Sequence, residues 1–284
     1  MRIQRLPNNP IIRPHMDSRM GDNVNGPSLI RVPDWLPNPL GRYYLYFAHH
    51  KGTYIRLAHS DHLEGPWTTY EPGTLHLDES HFTHHIASPD VHVDNTRHEI
   101  RMYYHGCTSE GQKTRVALSG DGIRFEAMPE VLGDAYFRVF RWDGCHYAIA
   151  MPGTVLRSAD GLTRFEQGPT LFSPDIRHSA LKLASNNLTV LYSNAGDRPE
   201  RILMSTVDLD GDWLGWKNTP PVTVLEPETD YEGAGLPLEA SARGWAPCPV
   251  RQIRDPAIFT ENGRDYLLYS ISGEHGIAIA RILD

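Results

Sequence analysis

Fifteen histidines among 284 residues are the first chemical signal in this sequence. An imidazole titrates near neutrality, so it can give or take a proton at ordinary pH. Several of these histidines stand beside carboxylates and cations. His84 and His85 precede Ser88-Pro89-Asp90, His178 follows Arg177, His49 and His50 precede Lys51, His275 follows Glu274, and Arg254 adjoins Asp255. His178, Asp90, Asp255 and Glu232 are the candidates for proton transfer or transition-state support. His49, His84, His85, Arg138, Arg254, Glu274 and His275 are the candidates for holding a substrate.

Each assignment has a structural competitor. An Asp at a strand start often caps backbone amides. Arg254 can simply pair with Asp255, and a loop residue such as Glu232, His84 or His85 can be a solvated side chain. Arg138, between Phe137 and Val139, must find a partner or water, because a bare guanidinium on an apolar strand is costly. Successive side chains on a strand point to opposite faces. Adjacent histidines are therefore not a ligand set, and no tightly bound transition metal or other cofactor is expected.

Composition excludes several classes. The formal net charge is −8, with no basic stripe of the kind nucleic acid requires. No apolar run reaches membrane-spanning length, and the N-terminal residues lack a signal-peptide core. Cys107, Cys145 and Cys248 are few, odd in number and widely spaced. That is no disulfide framework, and it fits a reducing, cytoplasmic setting.

The elements that must position these residues form a repeat. Five openings, near Gly26-Pro27, Ser88-Pro89, Tyr136-Phe137, Ser179-Ala180 and Asp255-Pro256, each lead into a short apolar run. Second strands follow at Tyr43–Phe47, Ile100–Tyr104, His146–Ala150, Leu188–Tyr192 and Tyr266–Ser270. Third strands follow at Tyr54–Ala58, Thr114–Leu118, Thr154–Arg157, Arg201–Ser205 and Gly276–Ala280. The runs are aromatic and β-branched, and Gly, Asn, Asp and Pro bound them. Fourth segments are expected at Gly65–Thr68, Ile123–Glu126, Thr163–Glu166 and Trp213–Trp216. The fold expected is all-β: one five-bladed β-propeller over residues 1–284, with four antiparallel strands per blade. The fifth unit lacks a last strand, and an open edge invites aggregation. Residues before Gly26, including Ile11 and Ile12, are therefore expected to complete it.

Strand direction sorts the loops. Loops entering the first strand and loops joining strands two and three share one face of such a ring. Those loops are long and carry His84, His85, His178, Glu232, His49, Glu274 and His275, whereas the opposite face carries plain turns. Long loops on one end of a rigid scaffold are where sites are built.

The chain resembles the five-bladed β-propeller glycoside hydrolases, which include arabinanase/xylosidase-like, fructosidase-like and mannoside-phosphorylase-like enzymes. Ser88-Pro89-Asp90-Val91 is similar to their Ala-Pro-Asp-Val element, and Arg254-Asp255-Pro256 to their Arg-Asp-Pro element. The resemblance implies a carbohydrate substrate in the funnel, and a calcium ion at its centre in some relatives. It also exposes two departures. Asn25-Gly26-Pro27 stands where relatives place a catalytic carboxylate, and Arg177-His178-Ser179 stands where they place an acidic Glu. Glycoside hydrolysis normally uses two carboxylates. His178 is accordingly expected to transfer the proton, with Glu232 as the substitute acid. Three readings follow: a glycosidase on a short oligosaccharide, a polysaccharide lyase using His, Tyr and Arg, and a sugar-binding propeller without catalysis.

Overall fold

A computed structural model describes residues 1–283. Five antiparallel sheets form a ring of blades, and no α-helix occurs among the described residues. Blade I contains Asn25–Arg31, Tyr43–Ala48, Arg56–Ser60 and Thr68–Tyr70. Blade II contains Thr83–Asp94, Glu99–Thr108 and Gly111–Ser119, with a broken fourth strand at Glu126–Ala127 and Gly133–Asp134. Blade III contains Arg138–Trp142, Cys145–Ala150, Thr154–Ser158 and Glu166–Thr170. Blade IV contains Ile176–Ala184, Asn187–Asn194, Ile202–Asp208 and Val222–Leu225. Blade V contains Arg254–Glu261, Arg264–Ser270 and Ile277–Leu283.

The missing strand of blade V is Arg2–Arg5, paired antiparallel with Ala280–Leu283. Closure by the N-terminal segment is thus as expected, although Ile12 contributes only a single bridge, to Ile277. The expected fourth strands are corrected: they run at Thr68–Tyr70, at Glu126–Ala127 with Gly133–Asp134, and at Glu166–Thr170, each beginning at the last residue of the expected segment. Trp213–Gly215 is a 3₁₀ turn capped by Asp212, and blade IV ends instead on Val222–Leu225. The indole rings of Trp213 and Trp216 pack under blades III and IV rather than pairing in a ladder.

The alternation within each strand explains why the blades stack. In Tyr43–Phe47, the side chains of Tyr43, Leu45 and Phe47 join a cluster with Leu29, Phe259, Leu268 and Ile279 of blades I and V. Tyr44 and Tyr46 point the other way, to Ile86, Met102 and Tyr104 of blade II. Period-two patterning with both faces apolar makes each sheet the filling of two interfaces. Five such clusters separate the five blades.

Candidate active site at the funnel mouth

The innermost strand of every blade begins with the same irregularity. Pairing with the second strand slips by one residue between Asn25 and Ser28, Ala87 and Asp90, Ile176 and Ser179, and Arg254 and Ala257. Blade III repeats it between Ala135, which accepts from Met151 N, and Arg138. A bulge of this kind re-aims a side chain out of the ladder. In four blades its first residue takes a left-handed backbone: Gly26 (φ 61°), Ser88 (52°), Tyr136 (68°) and Asp255 (52°). Three of these equivalent positions converge on one imidazole. His178 Nδ1 lies 2.8 Å from Asp255 Oδ1, its Nε2 lies 3.2 Å from Ser88 Oγ, and the Tyr136 ring lies 4.0 Å away, centroid to centroid. The fourth position, Gly26, has no side chain; a Cβ there would sit 3.2 Å from Ser88 Cα.

Burial lowers the pKa of His178 against the opposing pull of Asp255, so the ring is neutral at neutral pH. Asp255 is ionised. Burial opposes this, but contact with His178 and the charges of Arg254 and Arg177 hold its pKa below the usual carboxylate range. Ser270 Oγ donates to its second oxygen at 3.0 Å. Tyr136 continues the aromatic contact to His105 at 4.3 Å, and His105 to His85 at 5.7 Å. Burial also lowers the pKa of His105 and of His85.

Behind this layer lies a buried charge cluster. Arg254 Nη2 is 2.9 Å from Glu200 Oε2, and its Nη1 is 3.2 Å from Glu274 Oε1. Arg177 Nε is 3.1 Å from Glu200 Oε1, and Ser193 Oγ donates to that same oxygen. Asn23 and Asn25 donate to Glu274 Oε2 at 2.7 and 3.1 Å, with His50 Nδ1 3.4 Å from it. A segment of the long loop crosses the mouth above. Ser241 is bonded to blade IV at Asp197 and Gly196, Arg243 donates to Pro174 O, and Arg177 and Arg254 both donate to Gly244 O. Trp245 then reaches blade I, where Lys51 Nζ lies 4.4 Å over its ring and His49 lies beside it.

Several of the expected site residues are engaged by other protein groups. Arg254 and Glu274 are 1% and 2% exposed and pair with each other. Glu232 is outside the funnel. It is fully buried against Arg5 and Tyr269, and the backbone N–H groups of Glu228 and Thr229 donate to it. Asp90 lies farther down the axis, receives the Val139 N–H at 2.8 Å and pairs with His92 at 2.8 Å. Arg138 lies beside it. The guanidinium donates to the carbonyls of Ser179, Pro89 and Phe137, joining blades II, III and IV. Both face an axial cavity of about 130 Å³ that Ser28, Ala180 and Ala257 also line. A cation such as Arg138 in that lining does not suit calcium. Among the described residues, no three His, Cys, Asp or Glu side chains are grouped to hold a metal. His49 adjoins the crossing loop. His84 is exposed and His85 half-buried at the blade II rim, and His275 turns its Nδ1 to Ser272 O.

The sequence candidates omitted Ser88, Tyr136 and Glu200. Ser88 and Tyr136 occupy the same bulge position as Asp255, a correspondence visible only when the five openings are aligned on their second strands. Glu200 is an ordinary loop Glu in sequence, and nothing marks it before Arg177 and Arg254 close on it.

No family model matches the chain. Uncharacterized protein R118 of Acanthamoeba polyphaga mimivirus is 35% identical over an alignment of 320 residues, covering 99% of this chain and 90% of the relative. The chain belongs to the R118 family. Solved structures similar to this R118-family fold include carbohydrate enzymes at low identity. A glycosyl hydrolase from Bacteroides ovatus superposes with TM-score 0.72 at 11% identity, covering 98% of this chain and 92% of that one. The GH43_1 enzyme from Xanthomonas citri complexed with xylose gives 0.63 at 14%, covering 96% and 89%. A structure from the GH130 family of mannoside phosphorylases, which contains glycoside hydrolases that target β-1,2 mannosidic linkages in Candida mannan, gives 0.69 at 12%, covering 98% and 93%. These likenesses establish the five-bladed propeller fold.

Proposed function

We propose that this protein binds a short carbohydrate at the funnel mouth and hydrolyses a bond in it, with His178 as the proton-transfer group. The observation that carries this reading is the neutral, buried His178 held 2.8 Å from an ionised Asp255. A neutral imidazole accepts a proton, and the adjacent carboxylate stabilises the imidazolium that results. Asp255 favours that charge, while Arg138 and Arg177 oppose it. Trp245 is 38% exposed at the mouth, and an exposed indole is a stacking surface for a sugar ring. The xylose and xylotriose held by structurally similar propellers support a carbohydrate as ligand.

The test is a panel of xylo-, arabino- and manno-oligosaccharides. Binding is followed by Trp fluorescence and turnover by product analysis. His178→Ala should lower turnover by about a hundredfold or more and leave binding within a few-fold. Binding without turnover by the unmodified protein would make this a sugar-binding propeller. An unsaturated product would make it a lyase, and no binding to any sugar would end the carbohydrate reading.

A further inference from the structure

We infer that Ser88 is a nucleophile and that Ser88, His178 and Asp255 form an acyl-transfer site whose substrate is a carbohydrate carrying a small ester such as acetyl. The substrate class rests on the carbohydrate reading above; the nucleophile stands on geometry alone. His178 Nε2 is 3.2 Å from Ser88 Oγ, and Nδ1 is within ion-pair distance of Asp255 Oδ1, at 2.8 Å, outside hydrogen-bond geometry. A nucleophile, a base within reach of it and a carboxylate that orients the base are the three parts of hydroxyl activation. They come from blades II, IV and V, so the contact is built by tertiary structure and not by neighbours in sequence.

Ser88 is held at φ 52°, the left-handed backbone that the bulge also gives Tyr136 and Asp255, and its hydroxyl lies within reach of His178. On the side where Ser88 adjoins blade I stands Gly26, so no side chain crowds the hydroxyl there. Arg138 donates to the carbonyls of Pro89 and Ser179, the residues after Ser88 and His178, and so ties the two backbones together. Ser88 and His178 are only 3% and 8% exposed, which selects a small acyl group.

In the first step Ser88 Oγ bonds to the acyl carbon and its proton passes to His178 Nε2. The ester C–O bond then breaks, and His178 returns the proton to the departing sugar hydroxyl. In the second step water adds to the acyl-serine, again giving its proton to His178. The Oγ–acyl bond breaks, Ser88 recovers the proton, and the carboxylic acid leaves. Asp255 is a positioning residue throughout.

The experiment treats the full chain with a small alkyl fluorophosphonate and with 4-nitrophenyl acetate. One phosphonyl adduct per chain is expected, mapped to Ser88 by peptide mass spectrometry. It should be absent in Ser88→Ala and in Ser88→Gly, the second of which suits the left-handed backbone and guards against misfolding. His178→Ala should slow labelling and ester hydrolysis at least a hundredfold, whereas Asp255→Asn should also move the acid limb of the pH profile downward. No adduct at Ser88 in the folded protein, or labelling that ignores His178→Ala, overturns the assignment. Oligosaccharide binding separates the two readings. Sugar bound without labelling removes the nucleophile alone, and labelling without sugar binding removes the carbohydrate substrate alone.

Discussion

At the residue scale, the site depends on imidazoles kept neutral by burial. His178 has a pKa below its ordinary value near 6.5. If it is the base, the acid limb of kcat/KM should fall below that pH. Asp255 raises the pKa of His178, so Asp255→Asn should shift the limb further down; an upward shift would show that another group sets it. The same burial couples pH to stability. An unfolded chain protonates His105 and His178 below about pH 6.5, and the folded chain resists. Stability should therefore be full above that pH. It should fall by about 1.4 kcal/mol per pH unit for each such histidine until the folded pKa is reached. Urea midpoints between pH 7 and pH 5 measure this, and His105→Gln should flatten the slope. His49, whose burial first and Arg56 second lower its pKa to about 4, adds to the fall. Its part is smaller, because it remains half in solvent.

At the element scale, the recurrent bulge is the device that makes a site out of five strand starts. Gly26→Ala tests it: a Cβ in the left-handed conformation and 3.2 Å from Ser88 Cα should cost about 1–2 kcal/mol. An unchanged urea midpoint would mean the bulge relaxes freely. The elements themselves were legible in sequence, because period-two alternation such as Tyr43–Phe47 and its Gly, Asn and Asp boundaries are local signals. The polar pairing was not. Arg254 reads as a substrate clamp until Glu200, 54 positions earlier, is seen to hold it. Glu232 reads as a free loop acid until Arg5, 227 positions away, closes on it. Trp213–Trp216 reads as a strand because aromatic residues favour one, but its rings serve an inter-blade core instead. His178 and Asp255 were found because the family resemblance marks their positions, one where relatives place a Glu and one in an Arg-Asp-Pro element, and Ser88 was missed because nothing of that kind marks a serine.

At the scale of the whole molecule, the ring is held by one clasp. Arg5, at the end of the closing strand, donates to both oxygens of Glu232 and to Glu226 O, and pairs with Glu228. Arg5→Ala leaves the fully buried Glu232 without its cation and should cost about 3–5 kcal/mol. Glu232→Gln should lower stability in the same assay yet leave turnover per folded molecule intact; lost turnover would return Glu232 to the chemistry. Removal of residues 1–20 should abolish the cooperative transition, since Ile277–Leu283 would then present a bare edge. This pairing of the second to fifth residues with the last described strand has a consequence for biosynthesis. During translation Ile277–Leu283, the partner of Arg2–Arg5, leaves the ribosome after the strands of the other four blades, so those blades can stack while the chain is still growing but the ring cannot close. Arg2–Arg5 must wait, unpaired and within reach of chaperones and proteases, until Ile277–Leu283 has been made.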